Sequence, residues 1–119
     1  MLRGEIRLVD LEPARGSEAD KRRPAVIVSN DAANTAAARL GRGVVTVVPL
    51  TSNTERVHPF QVLLPAGETG LARDSKAQAE QVRAVAVDRI GPAVGMLGGP
   101  LADALDRALR VHLALREAD

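Results

Sequence analysis

The sequence predicts a mainly β protein with α structure (α+β): a small, strongly bent β-sheet or barrel with a C-terminal helix packed on it. Three observations carry this reading. Two runs rich in β-branched residues, at 24–29 and 44–50, read as strands covered on both faces. Polar segments holding glycine and proline punctuate the chain between short apolar stretches. One segment, 101–115, keeps an apolar stripe at helical spacing over several turns.

Each element follows in order. Residues 2–11 alternate as a strand, with Leu2, Ile6 and Leu8 on one face and Glu5 and Arg7 on the other. Residues 12–21 hold Pro13, Gly16 and Ser17 among charges and read as a long loop. Pro24 opens the next strand, where a missing ladder donor matters least. Asn30-Asp31 caps a short helix over 32–39, which Gly41 and Gly43 end. The strand at 44–50 carries Pro49 near its end, so pairing stops there on one side. Residues 51–59 are a polar loop, 60–64 a short strand with Phe60, Val62 and Leu64 on one face, and 65–70 a turn. Residues 75–87 form one or two strands with a break near Glu80-Gln81. Asp88 starts a single helical turn that Gly91-Pro92 stops, and 93–97 is a last short strand. Gly98-Gly99-Pro100 opens the long helix, because proline suits the first helical position. Its stripe is Leu101, Leu105, Ala108, Leu109 and His112, and Asp103–Arg107 and Asp106–Arg110 are i,i+4 pairs on its outer face. The tail over 116–119 is expected to fray.

Composition narrows the function. The 119 residues suit one domain, 1–119, that folds without staples. The absence of cysteine removes disulfides and thiolate metal sites. No run approaches the ~20 apolar residues of a membrane helix, and Met1-Leu2-Arg3-Gly4-Glu5 lacks the apolar run of a signal peptide. A cytoplasmic protein with no membrane partner is the expectation. Sixteen basic residues nearly balance fifteen acidic ones, so distribution says more than net charge. Phe60 is the sole Phe, Tyr or Trp, which excludes an aromatic stacking platform for single-stranded nucleic acid. Any RNA binding must use charge, amides and hydroxyls.

Three clusters could carry chemistry. Lys21-Arg22-Arg23 runs straight into a strand, which would hold Arg23 as an electrophilic clamp on a reacting phosphoryl group; the alternative is a solvated loop charge. Thr51-Ser52-Asn53-Thr54 follows a strand, so its hydroxyls and amides can point at a ligand from a rigid base; the alternative is an ordinary turn. Asp74-Ser75 and Glu80-Gln81-Val82-Arg83 put polar groups beside a half-buried strand, where they need partners. Gln81 can read a base edge there, or Glu80 can pair internally with Arg83. A two-histidine acid–base site fits poorly, since His112 falls on the apolar stripe as a core residue and His58 in an exposed loop. No His, Asp or Glu pattern has metal-site spacing, and no glycine-rich phosphate loop precedes a helix.

Several pieces recur in a set order: Gly4-Glu5-Ile6, Arg23-Pro24 leading into Val26-Ile27-Val28-Ser29-Asn30, Val47-Val48-Pro49-Leu50-Thr51-Ser52, Asp74-Ser75, Glu80-Gln81-Val82-Arg83, and Leu97 with the 104–115 helix. In that order they resemble the MazF/PemK (Kid-like) family of toxin endoribonucleases of type II toxin–antitoxin systems. The resemblance covers almost the whole chain. It implies a homodimer of small SH3-like barrels. It also implies cleavage of single-stranded RNA at short recognition sequences, with no metal and no cofactor. The substrate would be mRNA, with tRNA and rRNA as further candidates, and growth and translation would be inhibited. A cognate antitoxin would lay an acidic, disordered C-terminal segment into the RNA groove. Residue by residue, the family's motif arginine matches Arg23, its threonine Thr51 with Ser52 beside it, its groove acid Glu80, and its base-reading glutamine Gln81. Gln78 stands where some members carry an arginine, and the 12–21 loop has no aromatic where many members have one.

The catalytic candidates are therefore Arg23, Thr51 and Glu80. The RNA-binding candidates are Lys21, Arg22, Ser52, Asn53, Asp74, Ser75, Gln78, Gln81 and Arg83. RNA supplies its own nucleophile, the 2′-hydroxyl beside the scissile phosphate, and the products implied are a 2′,3′-cyclic phosphate and a 5′-hydroxyl. Arginine is a poor base because its pKa exceeds ~12, so Glu80 is the candidate base if a residue serves. Two alternatives stand beside this reading. One is a toxin of the same barrel that binds a protein such as DNA gyrase without cleaving RNA, although the aromatic C-terminal tail of such toxins is missing from Leu115-Arg116-Glu117-Ala118-Asp119. The other is an RNA-binding barrel without cleavage.

Overall fold

In the computed structural model, which describes residues 1–19 and 21–116, seven antiparallel strands make one strongly bent sheet. The strands are β1 (Glu5–Asp10), β2 (Arg22–Ile27), β3 (Val44–Thr51), β4 (Gln61–Leu64), β5 (Ser75–Gln78), β6 (Arg83–Ala86) and β7 (Ile90–Met96). Three helices accompany them: α1 (Asp31–Leu40), the single-turn α2 (Ala66–Thr69) and α3 (Gly99–Leu113). The sheet order is β4-β5-β3-β2-β1-β7, with β6 also paired to β3. The sheet curls like a barrel without closing, since β4 and β7 end the ladder. The tail at 117–119 lies outside the described residues.

Neighbouring residues of the central strands feed two cores on opposite faces, which is why their sequences read as continuous apolar runs. Val26, Val48 and Leu50 join Ile6, Leu64 and Ala77 under Leu105, Ala108 and Leu109 of α3. Ala25, Ile27, Val45 and Val47 join Val9, Leu11, Val85 and Ala37 of α1. β1 serves both cores, so its buried residues are Ile6 and Val9, while Leu2 is exposed and Leu8 half-buried. Register shifts against β7 on both sides of Arg7 bend the strand. A single apolar face could not have been drawn from alternation alone.

β3 is the hinge of the architecture. Its first half pairs with β6 (Val45↔Val85) and its end with β5 (Leu50↔Ala77). Pairing lapses opposite Val48-Pro49, where a single 3₁₀ turn over Ala79–Gln81 separates β5 from β6. The break expected near Glu80-Gln81 is this turn. α1 is capped as expected, with the Asn30 side chain accepting from the Ala33 N–H at 2.8 Å and Gly41 left-handed at its end.

Several local expectations differ. Phe60 lies just before β4 and stacks on His58, with ring centroids 5.1 Å apart, rather than aligning with Val62 and Leu64. His58 is half-buried by this contact. His112 is exposed, because by residue 111 the helix has run past the core it covers. Asp106 pairs with Arg3 at 2.7 Å rather than with Arg110, because Arg3 is anchored through its Nε to Val28 O and reaches across to α3. The segment at 65–70 is α2 closed by left-handed Gly70, and β7 begins three residues earlier than the sequence suggested.

Candidate functional site

The loop at 11–21 leads into the first wall of the site. Lys21 takes a positive φ of 64°, which turns the chain into β2. The Leu11 N–H donates to Lys21 O at 3.0 Å, and the Lys21 N–H to the Glu12 carboxylate at 2.6 Å. Gln81 grips the same loop from the far side of the chain. Its amide donates to Ser17 O at 3.0 Å and accepts from the Ala19 N–H at 2.9 Å. Arg83 adds a bond to Leu11 O at 3.4 Å. Gln81 thus spends both ends of its amide seating the loop, and Arg83 contributes one of its donors to the same task.

β2 and β3 then bring Arg23 to Thr51. The last β2–β3 register pair is Ala25↔Pro49, and Arg23 and Thr51 each lie two residues beyond it. Pro24 offers no N–H at this end of the ladder, and Leu50 O accepts from Arg23 Nη1 at 3.4 Å. The guanidinium is therefore held at the strand's end, beside Thr51. Thr51 Oγ1 accepts from the Asn53 N–H at 3.2 Å, which leaves its own O–H to donate.

A cavity of about 360 Å³ opens here. Lys21, Arg22 and Arg23 line it with Thr51, Ser52 and Ser75, and Arg73 adds a fourth cation. Pro24, Leu50, Leu71 and Ala72 make the apolar part of the lining. No carboxylate or imidazole is among the described residues that line it. Lys21, Arg22 and Arg73 are exposed and Arg23 is half-buried, so four positive charges converge on one opening, an arrangement that attracts anions. Among the described residues, no group of three or more His, Asp or Glu could hold a metal ion.

The profile of the PemK-like, MazF-like toxins of type II toxin–antitoxin systems matches residues 2–113. The chain belongs to this family. It is 59% identical over 115 residues to endoribonuclease MazF9 of Mycobacterium tuberculosis (strain ATCC 25618 / H37Rv), covering 97% of this chain and 98% of that protein. It is 31% identical over 114 residues to endoribonuclease EndoA of Bacillus subtilis (strain 168), covering 95% and 94%. The fold is similar to the crystal structure of MazF (Form-I) from Deinococcus radiodurans, with TM-score 0.79, 23% identity and 97% of each chain covered. It is also similar to a mycobacterial endoribonuclease solved in complex with its cognate antitoxin, with TM-score 0.75, 24% identity and 99% of each chain covered.

In this MazF-type toxin the other candidates lie around the cavity rather than in it. Asp74 accepts from the Ala66 N–H at 2.8 Å and so starts α2. Asn53 accepts from the Glu55 N–H at 3.2 Å within the 52–60 loop. One Glu80 oxygen accepts from Gln61 Nε2 at 2.7 Å, and Gln61 Oε1 in turn accepts from the His58 N–H at 3.1 Å. The other Glu80 oxygen and Gln78 Oε1 are buried with no hydrogen-bond donor among the described residues. Arg73, absent from the sequence candidates, carried a usable signal: it is a cation directly before the Asp74-Ser75 pair already singled out.

Proposed function

We propose that this MazF-type toxin is an endoribonuclease. It cuts single-stranded RNA in the cytoplasm without a metal, leaves a 2′,3′-cyclic phosphate and a 5′-hydroxyl, and so arrests translation and growth. The observation that carries the reading is the meeting of Arg23 and Thr51 in a cavity lined by four cations. RNA brings its own 2′-hydroxyl, so the protein must orient it in line and stabilise charge on the five-coordinate phosphorus. The Arg23 fork meets the non-bridging oxygens, and its strand-end anchor on Leu50 O keeps it there before substrate arrives. Thr51 donates to a phosphate oxygen or orients the 2′-hydroxyl. Lys21, Arg22, Ser52, Ser75 and Arg73 hold the flanking backbone. The nucleophile's proton passes to solvent, because no carboxylate or imidazole is among the described residues lining the cavity and arginine stays protonated. Glu80, hydrogen-bonded to Gln61, is assigned to positioning the 52–60 loop through the Gln61–His58 bond.

The working unit in this reading is a homodimer, since β4 and β7 end the sheet with open edges and Leu63 and Met96 on them are exposed. Its inhibitor is an antitoxin whose acidic, disordered segment occupies the cation-lined cavity. The test is to incubate the purified protein with a defined single-stranded RNA in excess chelator and map the product ends. Cleavage with cyclic-phosphate ends is the expected result. A strict magnesium requirement, or 5′-phosphate products, would overturn the chemistry.

A further inference from the structure

A second hollow, of about 400 Å³, lies beside the cavity and is lined by Asn53, Glu55, Arg56 and Lys76. Lys76 sits on β5, the strand between β3 and β4, and its register partner on β3 is Thr51. Cross-strand partners share a face, so Lys76 stands on the face of the sheet that presents Thr51. Its side chain is unusual for a lysine. It is 9% exposed, it donates to Arg56 O, and it makes no ion pair among the described residues. An ammonium has three donors, so two remain for something in the hollow. Burying a cation without a counter-charge is unfavourable, and an incoming anion would meet a group already stripped of most of its water. Arg56 adds a second positive charge, while Glu55 on the same lining opposes an anion.

We infer that this hollow is a second phosphate subsite, in which Lys76 and Arg56 hold a phosphodiester flanking the scissile one. The inference rests on the RNA-cleaving reading of the neighbouring cavity and adds a fixed anchor to it. Two anchored phosphates, one at Arg23 and one at Lys76, fix the direction of the strand across Thr51. Glu55 limits the affinity of the subsite by facing the same anion.

The test uses the full chain and a single-stranded RNA with a 2′-deoxy nucleotide at the scissile position, which removes the nucleophile. A neutral methylphosphonate replaces one phosphate at a time. One flanking replacement should weaken wild-type binding about tenfold, the scale of a lost charge-assisted contact, and should have no further effect on Lys76→Met. The logarithmic salt slope of Lys76→Met should be shallower by about 0.7, one phosphate contact on a single strand. Glu55→Gln keeps Lys76 in place and should bind the same RNA more tightly. The subsite is overturned if every methylphosphonate costs wild type and Lys76→Met the same, or if the two variants alter binding of an acidic peptide but not of RNA. Failure of the wild type to bind any single-stranded RNA is a different result and removes the nuclease reading itself.

Discussion

An arginine at the end of a strand has a short reach, and Arg23 uses it on Leu50 O beside Thr51. Arg23→Ala removes a transition-state donor, so single-turnover cleavage should fall by about 10² or more. Binding of an uncleavable RNA should fall far less, because Lys21, Arg22 and Arg73 remain in the cavity. Glu80→Gln separates two roles for that carboxylate. The amide can still accept from Gln61, so cleavage should stay within about tenfold, whereas loss of a general base costs roughly 10²–10⁴. Glu5 provides a pH signature. Burial pushes its pKa up, but hydrogen bonds from Arg7 and the Leu2 N–H, with the charges of the N-terminus and Arg7, outweigh this and leave it below the ordinary 4.5. A carboxyl with a depressed folded pKa adds stability above its unfolded value and loses it as pH falls through the folded one. Glu5→Gln should therefore be less stable than wild type in urea near neutral pH, with the gap closing as pH drops below 4.5. A gap that persists in acid would point to packing instead. At this scale the sequence made Arg23, Thr51, Ser52 and Ser75 legible because each sits at a strand end next to a motif. It could not make Gln81 legible, because its partners Ser17 and Ala19 are 64 and 62 residues away.

At the scale of elements, α2 and β7 touch through a position that only glycine can fill. A Cβ on Gly95 would lie 2.5 Å from Thr69 O, a backbone atom that cannot swing aside, and 3.3 Å from Ile6 Cδ1. Gly95→Ala should cost about 1–3 kcal/mol or more in urea unfolding, the usual range for overpacking. Gly98→Ala, which meets nothing within 4 Å, is the matched control and should change stability much less. The elements most legible in the sequence were those whose signal is local. The caps at Asn30 and Gly41 and the break near Glu80-Gln81 need only neighbouring residues. The faces of β1, the length of β7 and the Arg3–Asp106 pair were not legible, because each depends on which distant strand or helix lies alongside.

For the whole molecule, four cations and no carboxylate among the described residues lining one cavity mean that any extended polyanion competes for the same place. A carboxylate-rich antitoxin segment and an uncleavable RNA should exclude each other in a competition titration, and both should bind more weakly as salt rises. A ternary complex with undiminished RNA affinity would move inhibition elsewhere on the surface. Dimer mass in light scattering at micromolar concentration is the companion expectation, and fully active monomers would contradict it. The grip of Gln81 on the 11–21 loop reaches beyond the finished fold into synthesis. Every cation of the cavity precedes residue 81 in the chain, so a ribosome exposes the charges before it exposes the side chain that seats their loop. A product broken off short of that point carries the cations without the clasp.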